Sequence, residues 1–170
     1  MYIRQFLFFA FFSLIISFQA VSQSASTAAV MPEYKAEMEN WLVNIDEAYA
    51  LSTKTGKPIL ANFTGSDWCG WCKRLKASVF EKPEFKKWAE ENVVLLELDF
   101  PSRKYIPENI KAQNASLQKA FTIRGYPTIW VFNLKKDEEK NQYEIEAFGS
   151  TGYAPTVEQF TGAVDSMLKK

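Results

Sequence analysis

Cys69 and Cys72 are the only cysteines in the chain, and they stand in the stretch SDWCGWCKRL, Ser66 to Leu75. Two thiols at this spacing can exchange a disulfide with another molecule, supply part of a metal site, or fill a core as inert side chains. A zinc site takes about four ligands, and this chain has two thiols and no histidine. A two-thiolate copper(I) site draws no support from a methionine or histidine cluster. A structural bond across so short a loop would stabilise little. Burial of both thiols is not expected behind Gly65-Ser66-Asp67, in a turn that leads into a helix. The redox reading is the strongest of these. The absence of histidine also excludes Ser-His-Asp and Cys-His nucleophiles, and Lys73 after the second cysteine excludes c-type haem attachment.

The pair needs one thiol ionised and the other within reach. PILANFTG (58–65) reads as a buried strand ending at Gly65, and CKRLKASVF continues as a helix with Leu75 and Val79 turned inward. Cys69 thus sits where a strand hands over to a helix. The first N–H groups of a helix lack internal partners and its dipole places positive charge there, so the Cys69 thiolate is expected to be stabilised. Cys72, one turn on and on the same side, is placed to attack a mixed disulfide at Cys69.

The other elements follow from periodicity. Tyr34, Met38, Trp41, Ile45, Ala48 and Ser52 recur at helical spacing, with Gly56 as the stop. Pro83 breaks the helix after the cysteines or starts a new turn, and Phe85, Trp88 and Ala89 mark a short amphipathic stretch. VVLLELD (93–99) is a second strand, its apolar start suited to a sheet covered on both faces. Residues 101–113 read as a polar loop, with Asn114 as the cap of a short helix through Phe121. GYPTIWVFN leads into a third strand, LKKDEEKN into a charged hairpin connection, and QYEIEAFG into an antiparallel strand. In that last strand Tyr143, Ile145 and Ala147 share one face and Glu144 and Glu146 the other. A final helix begins near Pro155 and turns Val157, Phe160, Val164 and Leu168 inward. The expected fold class is α/β, a mixed four- to five-stranded sheet flanked by helices.

The chain has 170 residues, 47% hydrophobic, including 14 Phe, 7 Tyr and 5 Trp, which suits one domain with a substantial core. Twenty basic and twenty acidic residues cancel, and no basic block supports a nucleic-acid partner. Residues 1–22 have the layout of a cleavable signal peptide: Arg4, an apolar run from Phe6 to Phe18, and a small-x-small site at Ala20-Val21-Ser22. Residues 23–33 read as a flexible leader and 34–170 as the domain. Export to the periplasm or beyond is expected, where disulfides form and persist.

WCGWCK resembles the thioredoxin active-site motif, with Trp71 where the family usually has proline. FTIRGYPTIWVF (121–132) resembles the second thioredoxin signature, a Gly-x-Pro-Thr turn before an apolar strand. TGSDWCGWCK, VFEKPEF and LELDFPSRK are similar to secreted members of that thioredoxin-like family, and the resemblance covers about residues 34–170. It implies a thioredoxin fold and a cis Tyr126–Pro127 bond beside the disulfide, with Tyr126 and Pro127 meeting substrate. It also implies that Trp68 is the aromatic neighbour of the nucleophile and that Gly70-Trp71 tunes partner choice. The family's buried acid in the strand before the site falls at Asn62, which cannot take a proton, and its basic partner in the neighbouring strand falls at Glu97. Glu97, or Asp67 in the loop, is the carboxylate that could stand in. Lys73 and Arg74 lie further along the helix.

The resemblance implies an exported thiol:disulfide oxidoreductase, working through the Cys69/Cys72 dithiol without an external cofactor. Protein disulfides would be its substrates, a membrane or periplasmic thiol protein its electron donor, and a monomer its state. An oxidant or isomerase of folding proteins is the alternative within the same chemistry. A binding module that docks partners at Tyr126-Pro127 without turnover is the alternative outside it.

Overall fold

The computed structural model describes residues 34–137, 139–140 and 142–169. The signal peptide and leader assigned above to 1–22 and 23–33 lie outside the described residues.

The elements run in the order α1 (Ile45–Thr55), β1 (Ile59–Thr64), α2 (Gly70–Leu75), α3 (Pro83–Asn92), β2 (Val94–Asp99), α4 (Glu108–Ala120), β3 (Thr128–Asp137), β4 (Gln142–Thr151) and α5 (Val157–Leu168), with a π-helical turn, Lys76–Phe80, continuing α2. The strands form one mixed sheet in the order β2-β1-β3-β4. β1 pairs parallel with β2 and antiparallel with β3, and β3 pairs antiparallel with β4. The first pairing needs a crossover, and α2, the π turn and α3 supply it.

β1 is buried along its whole length, because it is central and covered on both faces. One face carries Leu60, Ile129 and Val131 against Leu75, Val79, Phe80, Phe85, Phe160 and Val164, from the crossover and α5. Phe80, Phe85 and Phe160 meet with ring centroids 5.0–5.7 Å apart. The other face carries Ile59, Ala61, Phe63, Leu96, Leu98 and Phe132 against Ala48 of α1 and Phe121 after α4. Alternation along β2 therefore sends Leu96 and Leu98 to the second face and Glu97 and Asp99 to the first, the face the cysteine helix covers.

Four expectations need correction. The helix marked from Tyr34 begins only at Ile45. Asn44 caps it, its Oδ1 accepting from the Asp46 N–H at 2.8 Å, and Asp46 and Glu47 suit the first turn. Before the cap, Leu42 bridges to Leu96, its N–H donating to Leu95 O and its carbonyl accepting from the Glu97 N–H. Unpaired groups on β2 thus outweigh the helical pattern of 34–44. Asn114 is not a cap: α4 starts at Glu108 after Pro107, and buried Asn114 donates Nδ2–H to Asp99 O at 3.0 Å. The charged LKKDEEKN segment is strand as far as Asp137, with Lys135 opposite Glu144. In β4 the alternation holds at Tyr143 and Ile145, but a register shift at Val131/Phe132 leaves Ala147 exposed and turns Phe148 to the first face.

Candidate active site

The loop between β1 and α2 is tied down residue by residue. The Ser66 N–H and hydroxyl both donate to the buried Asp99 carboxylate, at 2.8 and 2.6 Å. The Asp67 carboxylate accepts from the Ser102 N–H at 3.0 Å and the Arg103 N–H at 2.7 Å, and these bonds hold its pKa below the usual carboxylate value. The Trp68 indole N–H donates to Phe100 O at 2.9 Å. The Cys69 N–H donates to Gly65 O at 2.8 Å, which closes the turn.

Cys69 caps α2: its backbone is extended (φ −78°, ψ 107°) and its Sγ accepts from the Cys72 N–H at 3.2 Å. The two cysteines are joined in a disulfide, with Cα atoms 5.3 Å apart. Both are buried, each only 6% exposed, which corrects the expectation that the turn would leave them open. The two tryptophans of the motif each meet a tyrosine from a distant segment. Trp68 meets Tyr126 edge-on at 5.6 Å, and Trp71 meets Tyr153 at 4.9 Å. The Arg74 guanidinium lies 4.8 Å over the Trp71 ring, a cation–π contact. Lys73 Nζ donates to Asp67 O at 2.8 Å, so that charge is engaged with the loop.

Trp71, from the turn of α2 between the cysteines, lines an open pocket of about 390 Å³ with Tyr126, Pro127 and Tyr153. The Tyr126–Pro127 peptide is cis. Gln118 Nε2–H donates to the Tyr126 hydroxyl at 2.5 Å, and burial raises the pKa of that hydroxyl. Trp68 and Trp71 remain half exposed, at 50% and 53%, and Gly70 has open space around its Cα.

On the inner side, Cys72, Asn62, Thr64 and Glu97 line a second pocket of about 340 Å³. Asn62 and Glu97 are register partners across β1 and β2. Glu97 is buried, and its pKa rises from 4.5 to about 7, chiefly through desolvation and secondarily through Asp99, with Lys76 opposing. Asn62 is buried and its Oδ1 has no hydrogen-bond partner among the described residues.

The structure thus brings Trp71, Tyr126 and Pro127 to one pocket with Trp68 against Tyr126, leaves Gly70 open at the start of α2, and brings Asn62 and Glu97 to the pocket that Cys72 lines. Asp67 and Lys73 hold the loop between them. Sequence reading missed Tyr153, Asp99 and Glu37. Asp99 carried a legible signal, since it lies two positions after Glu97 on the same strand face. Tyr153 and Glu37 carried none. Among the described residues no three His, Cys, Asp or Glu side chains gather as a metal site would require.

A strand, a short turn and a helix that opens on CxxC, with an antiparallel strand entered through a cis X-Pro bond, define the class of thioredoxin-fold dithiol proteins. Residues 45–164 match the family model described as a thioredoxin-like domain, and the chain belongs to that family. It is 32% identical over 111 residues to the disulfide bond reductase DsbH of Chlamydia pneumoniae, covering 65% of this chain and 66% of DsbH. It is 34% identical over 110 residues to the thioredoxin-related protein DsbJ of the same organism, covering 65% of this chain and 31% of DsbJ. The chain therefore spans slightly under two thirds of the one relative and about a third of the other. A solved structure of the DsbH oxidoreductase superposes with a TM-score of 0.65 at 25% identity, over 82% of this chain and 93% of that one.

Proposed function

We propose that this chain is a thiol:disulfide oxidoreductase that reduces protein disulfides outside the cytosol, through Cys69 as nucleophile and Cys72 as resolving thiol. The observation that carries the reading is a disulfide at a helix start, where Trp71 of the same helix lines an open cleft with Tyr126, Pro127 and Tyr153. In the reduced protein the Cys69 thiolate attacks a substrate disulfide, and one substrate sulfur leaves and takes a proton from water. Cys72 then loses its proton and attacks Cys69 Sγ, which closes the Cys69–Cys72 bond and releases the second substrate sulfur. Two electrons pass from the dithiol to the substrate, and a thiol donor must return them.

The reducing direction rests on how Cys69 is stabilised. One backbone N–H, that of Cys72, donates to its sulfur. Lys73 is engaged with the Asp67 carbonyl and Arg74 with the Trp71 ring, and the chain has no histidine. A thiolate stabilised by the helix start alone supports a moderate potential, whereas strong oxidants rest on an extreme stabilisation of the reduced form. The name of the relative DsbH, a disulfide bond reductase, supports the same direction. The apolar N-terminal run supports export, and a membrane-bound or periplasmic thiol protein is the fitting donor. Trp68, Gly70, Trp71, Tyr126 and Pro127 are assigned to substrate contact, and the domain acts as a monomer.

Equilibration against a glutathione series tests the direction. The expected potential lies between those of thioredoxin and protein disulfide isomerase, about −270 to −180 mV, with insulin reduced at catalytic protein concentrations. A value near about −120 mV would replace this reading with that of an oxidant.

Gly65→Ala tests the outer face. A Cβ at Gly65 would lie 2.4 Å from Trp68 Cε2 and 2.7 Å from Nε1, so the indole must leave its place. The variant should lose the Trp68–Phe100 bond and the contact with Tyr126, with a change in tryptophan fluorescence. Exchange with a protein disulfide should slow about tenfold, as misplacement of a positioning group predicts. Unchanged exchange rates would remove Trp68 from the substrate face.

A further inference from the structure

The inner pocket holds a set of groups that the outer cleft does not need. Three of its lining residues, Glu37, Glu81 and Glu97, carry carboxylates, and their surroundings differ. The Glu37 carboxylate pairs with Lys76 at 3.3 Å and with Lys104, and Glu81 lies at the exposed rim, 3.9 Å from Lys76. Asp99 shares the strand face of Glu97, but both its oxygens accept from Ser66. Glu97 is buried, and one oxygen accepts a single backbone bond, from the Glu37 N–H at 3.2 Å. Opposite it on β1, Asn62 is 4% exposed, and its Oδ1 has no hydrogen-bond partner among the described residues. A buried amide oxygen of this kind calls for a donor, and a pocket of about 340 Å³ has room for water.

We propose that Glu97 accepts the Cys72 thiol proton during resolution of the mixed disulfide, through water seated against Asn62 Oδ1. This rests on the dithiol chemistry proposed above. The proton leaves Cys72 Sγ for the bridging water, which passes a proton to the Glu97 carboxylate. The Cys72 thiolate attacks Cys69 Sγ, the Cys69–substrate bond breaks, and the substrate leaves as a thiolate that is protonated by solvent. Cys72 and Cys69 are oxidised to the disulfide and the substrate sulfur is reduced, so no further reactant is needed. Glu97 later returns its proton to solvent or, when a donor reopens the disulfide, to Cys72.

The groups around Glu97 fit that task. Burial and Asp99 raise its pKa and Lys76, from the π turn, lowers it, to a balance of about 7. Lys73 from α2 and Glu81 after the π turn also line the pocket. Tyr34, from the segment before α1, has its own pKa pushed up to about 12 by burial, Asp99 and Glu97. A base with a near-neutral pKa combines a large ionised fraction with a useful proton affinity. The segment 34–38 closes the pocket through the Glu37 contacts, so that segment belongs to the site although it lies far from the cysteines in sequence.

The test uses the full exported chain and a quenched fluorescent peptide disulfide. Formation of the mixed disulfide is followed in Cys72→Ser, and its resolution is followed by stopped flow in the otherwise unaltered protein and in Glu97→Gln. The unaltered protein should show a resolution rate that rises with pH and levels off above about pH 7, as Glu97 ionises. Glu97→Gln should resolve about 100-fold more slowly at pH 8, the lower range for general-base assistance, and should lose the plateau. Asn62→Asp in the Glu97→Gln background should recover part of the rate, by placing a carboxylate across the same strand pair. A rate in the unaltered protein that climbs without levelling, or a Glu97→Gln variant that keeps both rate and plateau, overturns the role of Glu97. The first of these needs no variant to fold. Failure of Cys72→Ser to form the mixed disulfide overturns the dithiol reading itself, which separates the two outcomes.

Discussion

Replacing Cys72 with serine will leave the protein covalently attached to its substrates. Cys69 keeps its place at the start of α2, where its sulfur accepts from the Cys72 backbone N–H, a bond that the serine substitution leaves in place. Attack on a substrate disulfide therefore proceeds, but no second thiol is present to release the product. Turnover with a protein disulfide should fall roughly 10³-fold or more, as when one member of a concerted set is removed. Disulfide-linked species should accumulate on non-reducing gels and collapse when reductant is added. The Cys69→Ser/Cys72→Ser double variant should give none. Both cysteines are buried, each only 6% exposed, so trapped species should carry extended, accessible disulfide segments. A Cys72→Ser protein that yields no adduct would mean that the closed disulfide is structural, and the oxidoreductase reading would fall.

Glu97→Gln will make the protein more stable at pH 8, even as it slows resolution. The Glu97 pKa is about 7 in the folded state against an ordinary value of 4.5, so the folded state holds the proton more tightly than the unfolded chain. Its contribution to stability is full below about pH 4.5 and is lost as pH rises toward 7. At pH 8 the ionised, desolvated carboxylate costs about 3 kcal/mol relative to its protonated form. A glutamine amide of the same shape carries no such charge and fits the pocket as the protonated acid does. Denaturant midpoints at pH 4 and pH 8 check the prediction. The two proteins should be close at pH 4, and the variant should gain stability progressively above pH 5. Parallel curves at both pH values would mean that Glu97 is not held near pH 7. A buried carboxylate that weakens the fold while lining the pocket of the resolving thiol fits the common exchange of stability for a tuned group at a reactive site.

Several parts of this arrangement are legible in local sequence. The Cys69-Gly70-Trp71-Cys72 spacing, the apolar run of β1 and the helix that follows place the dithiol at a helix start, because strand and cap signals act within a few residues of themselves. Gly56 ends α1 in the left-handed conformation (φ 71°), and Pro83 opens α3, both as their local chemistry dictates. The substrate-side role proposed for Tyr126-Pro127 was visible only through resemblance to a family.

Elsewhere the sequence pattern points the wrong way or is silent, and contact between distant segments decides. Residues 34–44 carry a helical period, yet Leu42 pairs with β2, since the free groups of an edge strand and the Asn44 cap outweigh side-chain spacing. Asn114 reads as a cap but lies within α4, because the carbonyl of Asp99 is there to receive its amide. The partners of the two motif tryptophans, Tyr126 and Tyr153, could not be read from the turn, for only the sheet order β2-β1-β3-β4 brings their segments to the cysteine helix. The pairing of Asn62 with Glu97 behind Cys72 has the same origin. Local signals were enough to place a dithiol at the start of a helix. The parallel register of β1 against β2 decided which carboxylate shares its pocket, because a slip of one residue would turn Glu97 to the opposite face and bring a leucine in its place.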